Sequence, residues 1–131
     1  MYIIDSDTLI SLVRGQHGVQ QKMVHIGLSQ CKVSEISLAE LYVGAYKRND
    51  IKGMGQANYI AQTFEIVRIS SHLENYAKLR AGLERQGCKL DSMDLFIAAS
   101  ALAEDLTLVT HNTKHFSRVP GLKLEDWIQD E

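Results

Sequence analysis

The sequence predicts an α/β fold in which a central, mainly parallel sheet of about five short strands is covered by helices. Short apolar runs alternate along the chain with segments whose apolar residues recur at helical spacing, which is the pattern of a parallel sheet. The 131 residues are 45% hydrophobic and 23% charged, as in an ordinary globular protein. No repeat, low-complexity tract or linker interrupts them, so residues 1–131 are predicted to form a single domain.

The first quarter of the chain predicts two strands and two helices. Residues 2–4 form an apolar run that ends at Asp5 and is typical of a buried strand. One of the three polar residues that follow can cap a helix that continues to about Val13, where Arg14-Gly15-Gln16 ends it. Residues 18–29 are predicted to be a second helix and residues 32–34 a second strand.

The middle of the chain predicts three helices and one strand. Ser37 and Glu40 stand three apart, as in a capping box, so a helix is expected to begin at Ser37. Residues 54–64 are predicted to be helical and residues 65–69 to be a strand. The next helix is expected to open at Ser70 or Ser71 and to stop near Gly87.

The last third predicts one long helix, one short helical turn and two strands. The segment LDSMD begins a helix whose core face runs from Leu95 to Leu102. The apolar run at 107–110 predicts a buried strand, and a short helical turn ends at Phe116. A turn at Pro120-Gly121 then leads to a last strand at residues 122–124.

Five carboxylates lie where strands meet helices or on helices with apolar flanks. They are Asp5, Asp7, Glu40, Asp91 and Asp94. Ionised side chains are rarely placed beside Ile, Leu, Phe and Ala unless their charge is compensated, and a hard divalent cation such as Mg²⁺ or Mn²⁺ compensates several carboxylates at once. Because the crevice of a parallel sheet lies beyond the carboxyl ends of its strands, Asp5, Thr110 and Asn112 are expected to meet there. The pattern indicates metal-assisted phosphoryl chemistry.

Each acid also has a simpler interpretation. Asp5 and Asp7 could merely cap a helix, Glu40 could complete the capping box, and Asp91 could cap the helix that Asp94 begins. IIDSDTLI also matches the D-x-D-x-T signature of haloacid-dehalogenase-type phosphatases. That interpretation requires a Lys and an acidic pair after Thr110, where only 21 residues remain.

Other chemistries have weaker support. His111 and His115 stand four apart and could form a zinc pair, but no third ligand is close in sequence, and the remaining histidines are predicted at surface or helix positions. Cys31 and Cys88 have no metal-ligand spacing and are expected to be reduced thiols. No glycine-rich phosphate loop, apolar run of about 20 residues or signal peptide is apparent, so a cytoplasmic protein without a membrane span is expected.

The net charge of −2 is unevenly distributed. Of the sixteen acids, five belong to the candidate site and four to the last seven residues. If a metal masks the site and the tail lies elsewhere, the remaining surface carries seven acids and fourteen Lys and Arg. That surface is net positive and therefore compatible with a polyanionic substrate.

Three motifs together resemble the PIN-domain ribonucleases, and among them the VapC toxins of prokaryotic toxin–antitoxin pairs. IIDSDTLI is similar to the family's opening segment, and SLAELYVG to its [ST]-x-x-E-L-x-x-G segment. DLFIAASALAEDLTLVTHNTKHFSRVPGLKLEDW matches the family over some thirty consecutive residues. The resemblance implies a PIN-like three-layer α/β/α sandwich.

The resemblance also implies a role for several side chains. Asp5, Glu40 and Asp94 correspond to the metal-site acids, and Asn112 to a fourth position that is Asp in many relatives. Asp7 is expected to support the site, and Ser37 and Thr110 match hydroxyl positions that orient it. No role carries over to Asp91, because many family members have Gly there.

The implied activity is hydrolysis of RNA by water, with Mg²⁺ or Mn²⁺ as cofactor and a 5′-phosphate on the product. Asp5 and Asp94 are the expected direct ligands, and Glu40 the proton acceptor. The implied partners are an RNA substrate, a VapB-type antitoxin and a second copy of the chain. Helix surfaces around Leu38, Leu41, Tyr42 and Tyr46 are candidate partner surfaces or, equally, core. The alternative to an enzyme is a catalytically silent PIN-fold module that binds RNA or a partner.

Overall fold

A computed structural model describes residues 1–129 and confirms the predicted α/β architecture. The strands in this range are β1 (Tyr2–Ile4), β2 (Cys31–Ser34), β3 (Glu65–Val67), β4 (Thr107–Val109) and β5 (Leu124–Glu125). Their order across the sheet is β3-β2-β1-β4-β5, and every pairing of neighbours is parallel. The central strand β1 has β2 on one side and β4 on the other, with Ile4 opposite both Val33 and Val109.

Helices cover both faces of this sheet. They are α1 (Ser6–Arg14), α2 (Val19–Ile26), α3 (Glu35–Lys47), α4 (Ile51–Thr63), α5 (Leu73–Arg85), α6 (Ser92–Ala103) and α7 (Thr113–Phe116). Short 3₁₀ helices lie at Leu28–Gln30 and Ile69–His72. The helix α1 ends where the sequence predicts, because Gly15 adopts the left-handed φ of 65° that favours glycine at a helix end.

Successive residues of β1 point to opposite faces and so enter two separate cores. Ile3 packs with side chains of α5, α6 and α7, including Leu83, Ile97 and Phe116. Ile4 packs on the other face with α1, α2 and α4, where Leu9 and Ile60 are fully buried. The result is the three-layer sandwich that the resemblance implies.

Several predicted boundaries are wrong by a few residues. The helix α3 begins at Glu35 rather than Ser37, and α4 begins at Ile51, one residue after its cap Asp50. The helix α2 stops at Ile26 and a 3₁₀ turn continues to Gln30, while β3 ends at Val67. The last strand is Leu124–Glu125 rather than residues 122–124.

His72, predicted at a surface or helix position, is the last residue of the 3₁₀ helix Ile69–His72 and is buried. It is 9% exposed, and its Nε2 bonds to Glu104 Oε2 at 2.6 Å. Lys32 on β2 donates to Glu104 Oε1 at 3.0 Å and lies 3.6 Å from Glu65. These four side chains form a charged cluster at the C-terminal end of α6, and we refer to it below as the Lys32 cluster.

Candidate metal and catalytic site

The carboxyl ends of β1 and β4 bring distant segments together at one edge of the sheet. Asp5 follows β1 directly and Thr110 follows β4, and the Asp5 backbone N–H donates to the Val109 carbonyl at 2.9 Å. The chain leaves β1 toward β2 on one side and returns to β4 on the other, so this edge is the topological switch point of the sheet. The predicted meeting of Asp5 with Thr110 is therefore confirmed.

Asp5 is the most enclosed acid of the site, with 8% of its surface exposed. Its Oδ1 accepts from the Ser6 backbone N–H at 2.8 Å, and its Oδ2 accepts from the Thr110 hydroxyl at 2.8 Å. The Thr110 hydroxyl in turn accepts from the Asn112 backbone N–H at 3.0 Å. Asp5 is thus the N-cap of α1 and a member of the site at the same time, so the cap interpretation and the site interpretation do not exclude each other.

The pKa of Asp5 is raised to about 6, mainly by burial and in addition by the charges of Asp7 and Glu40, while the Thr110 and Ser6 hydrogen bonds oppose the rise. The sequence predicts that repulsion between the acids raises at least one pKa. The direction is confirmed, but burial contributes more than repulsion does. An ionised Asp5 is therefore destabilised, and a cation at this edge would relieve it.

Glu40 reaches the same edge from α3. The predicted capping box of Ser37 and Glu40 is wrong, because Ser34 is the N-cap of α3. The Ser34 hydroxyl accepts from the Ile36 backbone N–H at 3.1 Å. Glu40 instead accepts a hydrogen bond from the Ser6 hydroxyl at 3.2 Å, and it is exposed rather than turned to the interior as its apolar neighbours suggest. Partial burial raises its pKa, the Ser6 bond opposes this, and the charge of Asp94 adds to the rise.

Asp94 stands in the first turn of α6 and is held by a histidine. Its Oδ2 lies 2.8 Å from His115 Nε2, and the Arg118 guanidinium lies 2.9 Å from His115 Nδ1. Because a guanidinium can only donate, Nδ1 accepts and Nε2 donates to Asp94. Burial raises the pKa of Asp94, the hydrogen bond from His115 lowers it, and the charge of Asp91 raises it, with a net rise.

The sequence suggests a zinc pair of His111 and His115, and the structure gives the two rings different partners. His111 Nδ1 lies 2.9 Å from Asp126 Oδ2, whereas His115 serves Asp94. The sequence around His115 does not indicate that Asp94 is its partner, because 21 residues separate Asp94 from His115.

Asp7 fastens α1 to the loop that follows β4. Its Oδ1 accepts from the Thr8 backbone N–H at 2.7 Å, and its Oδ2 accepts from the His111 backbone N–H at 3.2 Å. Both oxygens are engaged, which agrees with the predicted supporting role. Asp91 occupies the N-cap position of α6 without a hydrogen bond from its side chain to the helix.

The other two predicted residues contribute in different ways. Asn112 is exposed, and its backbone N–H rather than its amide makes the bond to Thr110. Ser37 is fully buried in the first turn of α3, and its hydroxyl has no hydrogen-bond partner within residues 1–129. A buried hydroxyl without a partner costs free energy, and this hydroxyl does not act as the cap of α3.

The donor set fits Mg²⁺ or Mn²⁺ better than zinc, because the converging groups are carboxylates and hydroxyls. Among residues 1–129, no three His, Cys, Asp or Glu side chains stand close enough to form a metal cage. Mg²⁺ is usually held by one or two carboxylates and keeps several waters, so Asp5 with one further acid is sufficient. The full set of Asp5, Glu40 and Asp94 as simultaneous direct ligands remains a prediction.

The C-terminal segment lies beside the site rather than elsewhere. Asp126 contacts His111, and the Thr110 backbone N–H donates to the Glu125 carbonyl at 2.9 Å. The assumption of a distant tail is therefore wrong for Glu125 and Asp126, and this edge is more acidic than the sequence suggests. Asp130 and Glu131 lie outside the described residues.

Comparison with known proteins gives consistent matches over most of the chain. The PIN domain family model matches residues 2–122. Ribonuclease VapC2 of Rickettsia felis is 38% identical over 97 residues, which is 72% of each chain. The tRNA(fMet)-specific endonuclease VapC of Salmonella typhimurium is 26% identical over 128 residues, with 96% of this chain and 97% of that protein covered. The crystal structure of VapBC2 from Rickettsia felis bound to a promoter DNA fragment contains a chain with a TM-score of 0.83 and 30% identity, and the match covers 96% of this chain and 98% of that one.

Proposed function

This chain belongs to the PIN-domain family and, within it, to the VapC proteins, and on that premise we propose that it is a Mg²⁺-dependent endoribonuclease. We further propose that it is the toxin of a VapBC-type toxin–antitoxin pair and acts in the cytoplasm, where its RNA substrate is found. The observation that carries the proposal is the electrostatic interaction of Glu40 with both Asp5 and Asp94, together with the raised pKa of each of the three acids. Structural acids are usually paired with cations that lower their pKa, whereas catalytic and metal-binding acids often have a raised pKa.

Asp5 and Asp94 are the side chains that would hold Mg²⁺, with Glu40 close by, and Mn²⁺ would fit the same oxygen donors. When bound, the cation would supply neutralising charge to the phosphate and lower the pKa of a coordinated water. Thr110 and Ser6 fix the two oxygens of Asp5, and His115 fixes one oxygen of Asp94. The ligands are therefore oriented before any metal arrives.

We assign to Glu40 the role of accepting the proton of the attacking water. It is exposed and its pKa is raised, which makes it a stronger base than an ordinary glutamate. The water oxygen forms a bond to phosphorus, and the bond from phosphorus to the 3′ oxygen breaks. The products carry a 5′-phosphate and a 3′-hydroxyl, because water attacks rather than the ribose 2′-hydroxyl.

An apolar groove between α1, α2 and α4 is the proposed docking surface for the antitoxin. It has a volume of about 470 Å³, and its lining includes Leu12, Met23, Val24, Leu28 and Tyr59. Val24 is 73% exposed and Tyr59 is 55% exposed, which is unusual for apolar side chains that line one groove. The related Rickettsia chain was solved as VapBC2, so an antitoxin segment is the occupant we propose. Val24→Asp should then abolish inhibition by the cognate antitoxin and leave RNA cleavage intact.

The candidate partner surface on α3 divides into two parts. Leu38 and Leu41 pack against the core, whereas Tyr46 is 63% exposed and Val43 is 51% exposed. Tyr46, Val43 and the 82% exposed Ile51 are the surface we propose for a homodimer. Sedimentation of wild type beside Tyr46→Glu tests this, and an unchanged mass would contradict it.

The decisive experiment is cleavage of total cellular RNA by purified, antitoxin-free protein. Reactions with Mg²⁺, with Mn²⁺ and with EDTA are run beside Asp5→Ala. Discrete fragments with 5′-phosphate ends, lost with EDTA and with the variant, are the expected result. Absence of cleavage by folded, inhibitor-free protein would contradict the enzyme and favour the silent binding module.

No helix within residues 1–129 is long and apolar enough to cross a membrane.

A further inference from the structure

Two neighbouring helices each carry an acid and, about two turns later, an arginine. Both α1 and α3 begin at the carboxyl ends of strands and pack against each other. On α1 the pair is Asp7 and Arg14, and on α3 it is Glu40 and Arg48. Since a helical turn takes 3.6 residues, each arginine lies along its helix on broadly the same side as the acid. The groove between the helices therefore leads from acids to arginines.

A narrow notch of about 40 Å³ occupies this groove. Glu40 lines it together with both Arg14 and Arg48. The remaining wall is mostly apolar and is formed by Ile10, Val13, Leu41, Gly44, Gly53, Gln56 and Ala57. Apolar walls lower the local dielectric constant and so strengthen the attraction between a guanidinium and an anion.

We propose that Arg14 and Arg48 form a subsite that binds a backbone phosphate of the RNA next to the one cleaved. This inference rests on the proposed function and adds to it a specific contact with the substrate. The notch has room for a water or for phosphate oxygens and is too small for a nucleobase. The contact is therefore to the backbone and is independent of base sequence.

The Arg48 guanidinium lies against Gly44. A Cβ atom on Gly44 would stand 3.2 Å from Arg48 Nη1, closer than an ordinary contact, so an alanine there would shift the guanidinium by a few tenths of an ångström. Gly44 is one turn beyond Glu40, and one turn advances about 5.4 Å along the helix. That step is comparable to the distance between neighbouring phosphates of a single strand.

The arginines retain the capacity to bind an anion. Arg48 Nη2 lies 3.6 Å from Asp50 Oδ2, and the Arg48 side chain is 54% exposed, so several of its five donors face solvent. Asp50 is occupied in part by the Gly53 backbone N–H, which donates to it at 3.0 Å and caps α4. Two arginines face two carboxylates, Asp50 and Glu40, and a net charge of +1 would remain there once a bound cation neutralises Glu40.

The test measures binding of a fluorescently labelled single-stranded RNA oligonucleotide in EDTA, where cleavage is prevented, at a series of salt concentrations. We expect Arg14→Gln/Arg48→Gln to weaken binding about tenfold and to reduce the slope of log K against log salt by roughly one to two. Arg85→Gln is the matched control, because Arg85 is exposed at the end of α5. Asp50→Asn should tighten binding and preserve the helix cap, since Asn caps as well as Asp does.

A glycine pair provides a second test that does not remove charge. Gly44→Ala should displace the Arg48 guanidinium and weaken binding two- to threefold, although alanine favours the helix more than glycine does. Gly82→Ala is the control, because a Cβ there meets no atom within 4 Å. Circular dichroism and thermal melting verify that all variants fold.

The outcomes separate the inference from the proposed function. Wild-type protein that neither binds nor cleaves RNA contradicts the proposed function. If the wild-type protein cleaves RNA and the double variant Arg14→Gln/Arg48→Gln binds RNA as well as Arg85→Gln does, the subsite alone is contradicted. Arginine variants that bind RNA normally but escape the antitoxin would assign these arginines to an acidic group of the antitoxin, and that result also overturns the subsite.

Discussion

The two ends of α6 carry the same kind of pair in opposite electrostatic settings. Asp94 in the first turn bonds to His115 at 2.8 Å, and Glu104 just beyond the last turn bonds to His72 at 2.6 Å. Burial raises the pKa of Asp94, and Asp91 raises it further, so the net shift is upward despite His115. Burial would raise the pKa of Glu104 as well, but hydrogen bonds from Lys32 and His72 hold it below its usual value.

The direction of the carboxylate's pKa shift therefore suggests whether a carboxylate–histidine pair has a structural or a functional role. In the Lys32 cluster, the charge of Glu104 is compensated within the protein by Lys32, with a further hydrogen bond to His72, so Glu104 has no need of an external cation. The Asp94 pair faces other acids, and we propose that an external cation compensates its charge. The four predictions that follow test this contrast, in order of decreasing effect.

Removing the charge at each end of α6 should produce opposite phenotypes. Asp94→Asn should lower RNA cleavage by about 100-fold or more, because it removes a proposed metal ligand, and should leave the melting temperature nearly unchanged. Glu104→Gln should keep cleavage within about twofold and lower the free energy of unfolding by about 2–3 kcal/mol, because Lys32 loses its charged partner. Initial rates and urea unfolding measure the two effects. Equal loss of activity in both variants would contradict the contrast.

The histidines should divide in the same way. His115→Ala should lower the cleavage rate about 10- to 100-fold and raise the Mg²⁺ concentration needed for half-maximal rate, because the orientation of Asp94 is lost. His115→Gln can still donate to Asp94 and should restore part of the activity. His72→Ala should lower the free energy of unfolding by about 1 kcal/mol and leave the Mg²⁺ requirement unchanged. A normal Mg²⁺ titration for His115→Ala would show that Asp94 needs no positioning.

Asp5 should make the metal-free protein less stable as pH rises. Its pKa is about 6 in the folded chain against 3.8 for an ordinary aspartate, so the folded state binds more protons between these two pH values. Stability therefore decreases as pH rises from about 4 through 6, by up to about 3 kcal/mol from this group at neutral pH. Asp5→Asn cannot titrate, so in EDTA its melting temperature relative to wild type should be higher at pH 8 than at pH 4.5. A difference that does not change with pH would contradict the raised pKa.

Mg²⁺ should stabilise the acidic end of α6 and leave the Lys32 cluster unaffected. At 100 times its dissociation constant, a ligand that binds only the folded state adds about 2.7 kcal/mol. Wild type and Glu104→Gln should gain equally in melting temperature on adding Mg²⁺, whereas Asp94→Asn should gain less. Calorimetry in Mg²⁺ and in EDTA provides the comparison, and an equal gain for Asp94→Asn would remove Asp94 from the metal site.

The sequence predicts the sheet and the site well where a signal is local. Asp5 and Thr110 each stand one residue after a strand's apolar run, and the parallel sheet then requires them to meet. Ser37 and Glu40 fit the capping consensus, but Ser34, the last residue of β2, pairs with Val67 and is itself the cap of α3. Tertiary contact overrides the local pattern there.

What the sequence misses is partnership between segments distant along the chain. His72 is buried because it meets Glu104, which is 32 residues away, and nothing around Ser71 indicates this. The bond between Asp94 and His115 has the same character. Such pairs depend on how helices dock on the sheet, which periodicity alone does not specify.

The single tryptophan turns the C-terminal segment into an optical reporter of the site. Trp127 is 4% exposed, its ring centre lies 5.2 Å from that of Tyr2, and its neighbour Asp126 contacts His111. Indole emission shifts to longer wavelength when water reaches the ring. Fluorescence would therefore register detachment of this segment before circular dichroism registers loss of helices, so the local free energy of opening beside the acids can be measured without any label.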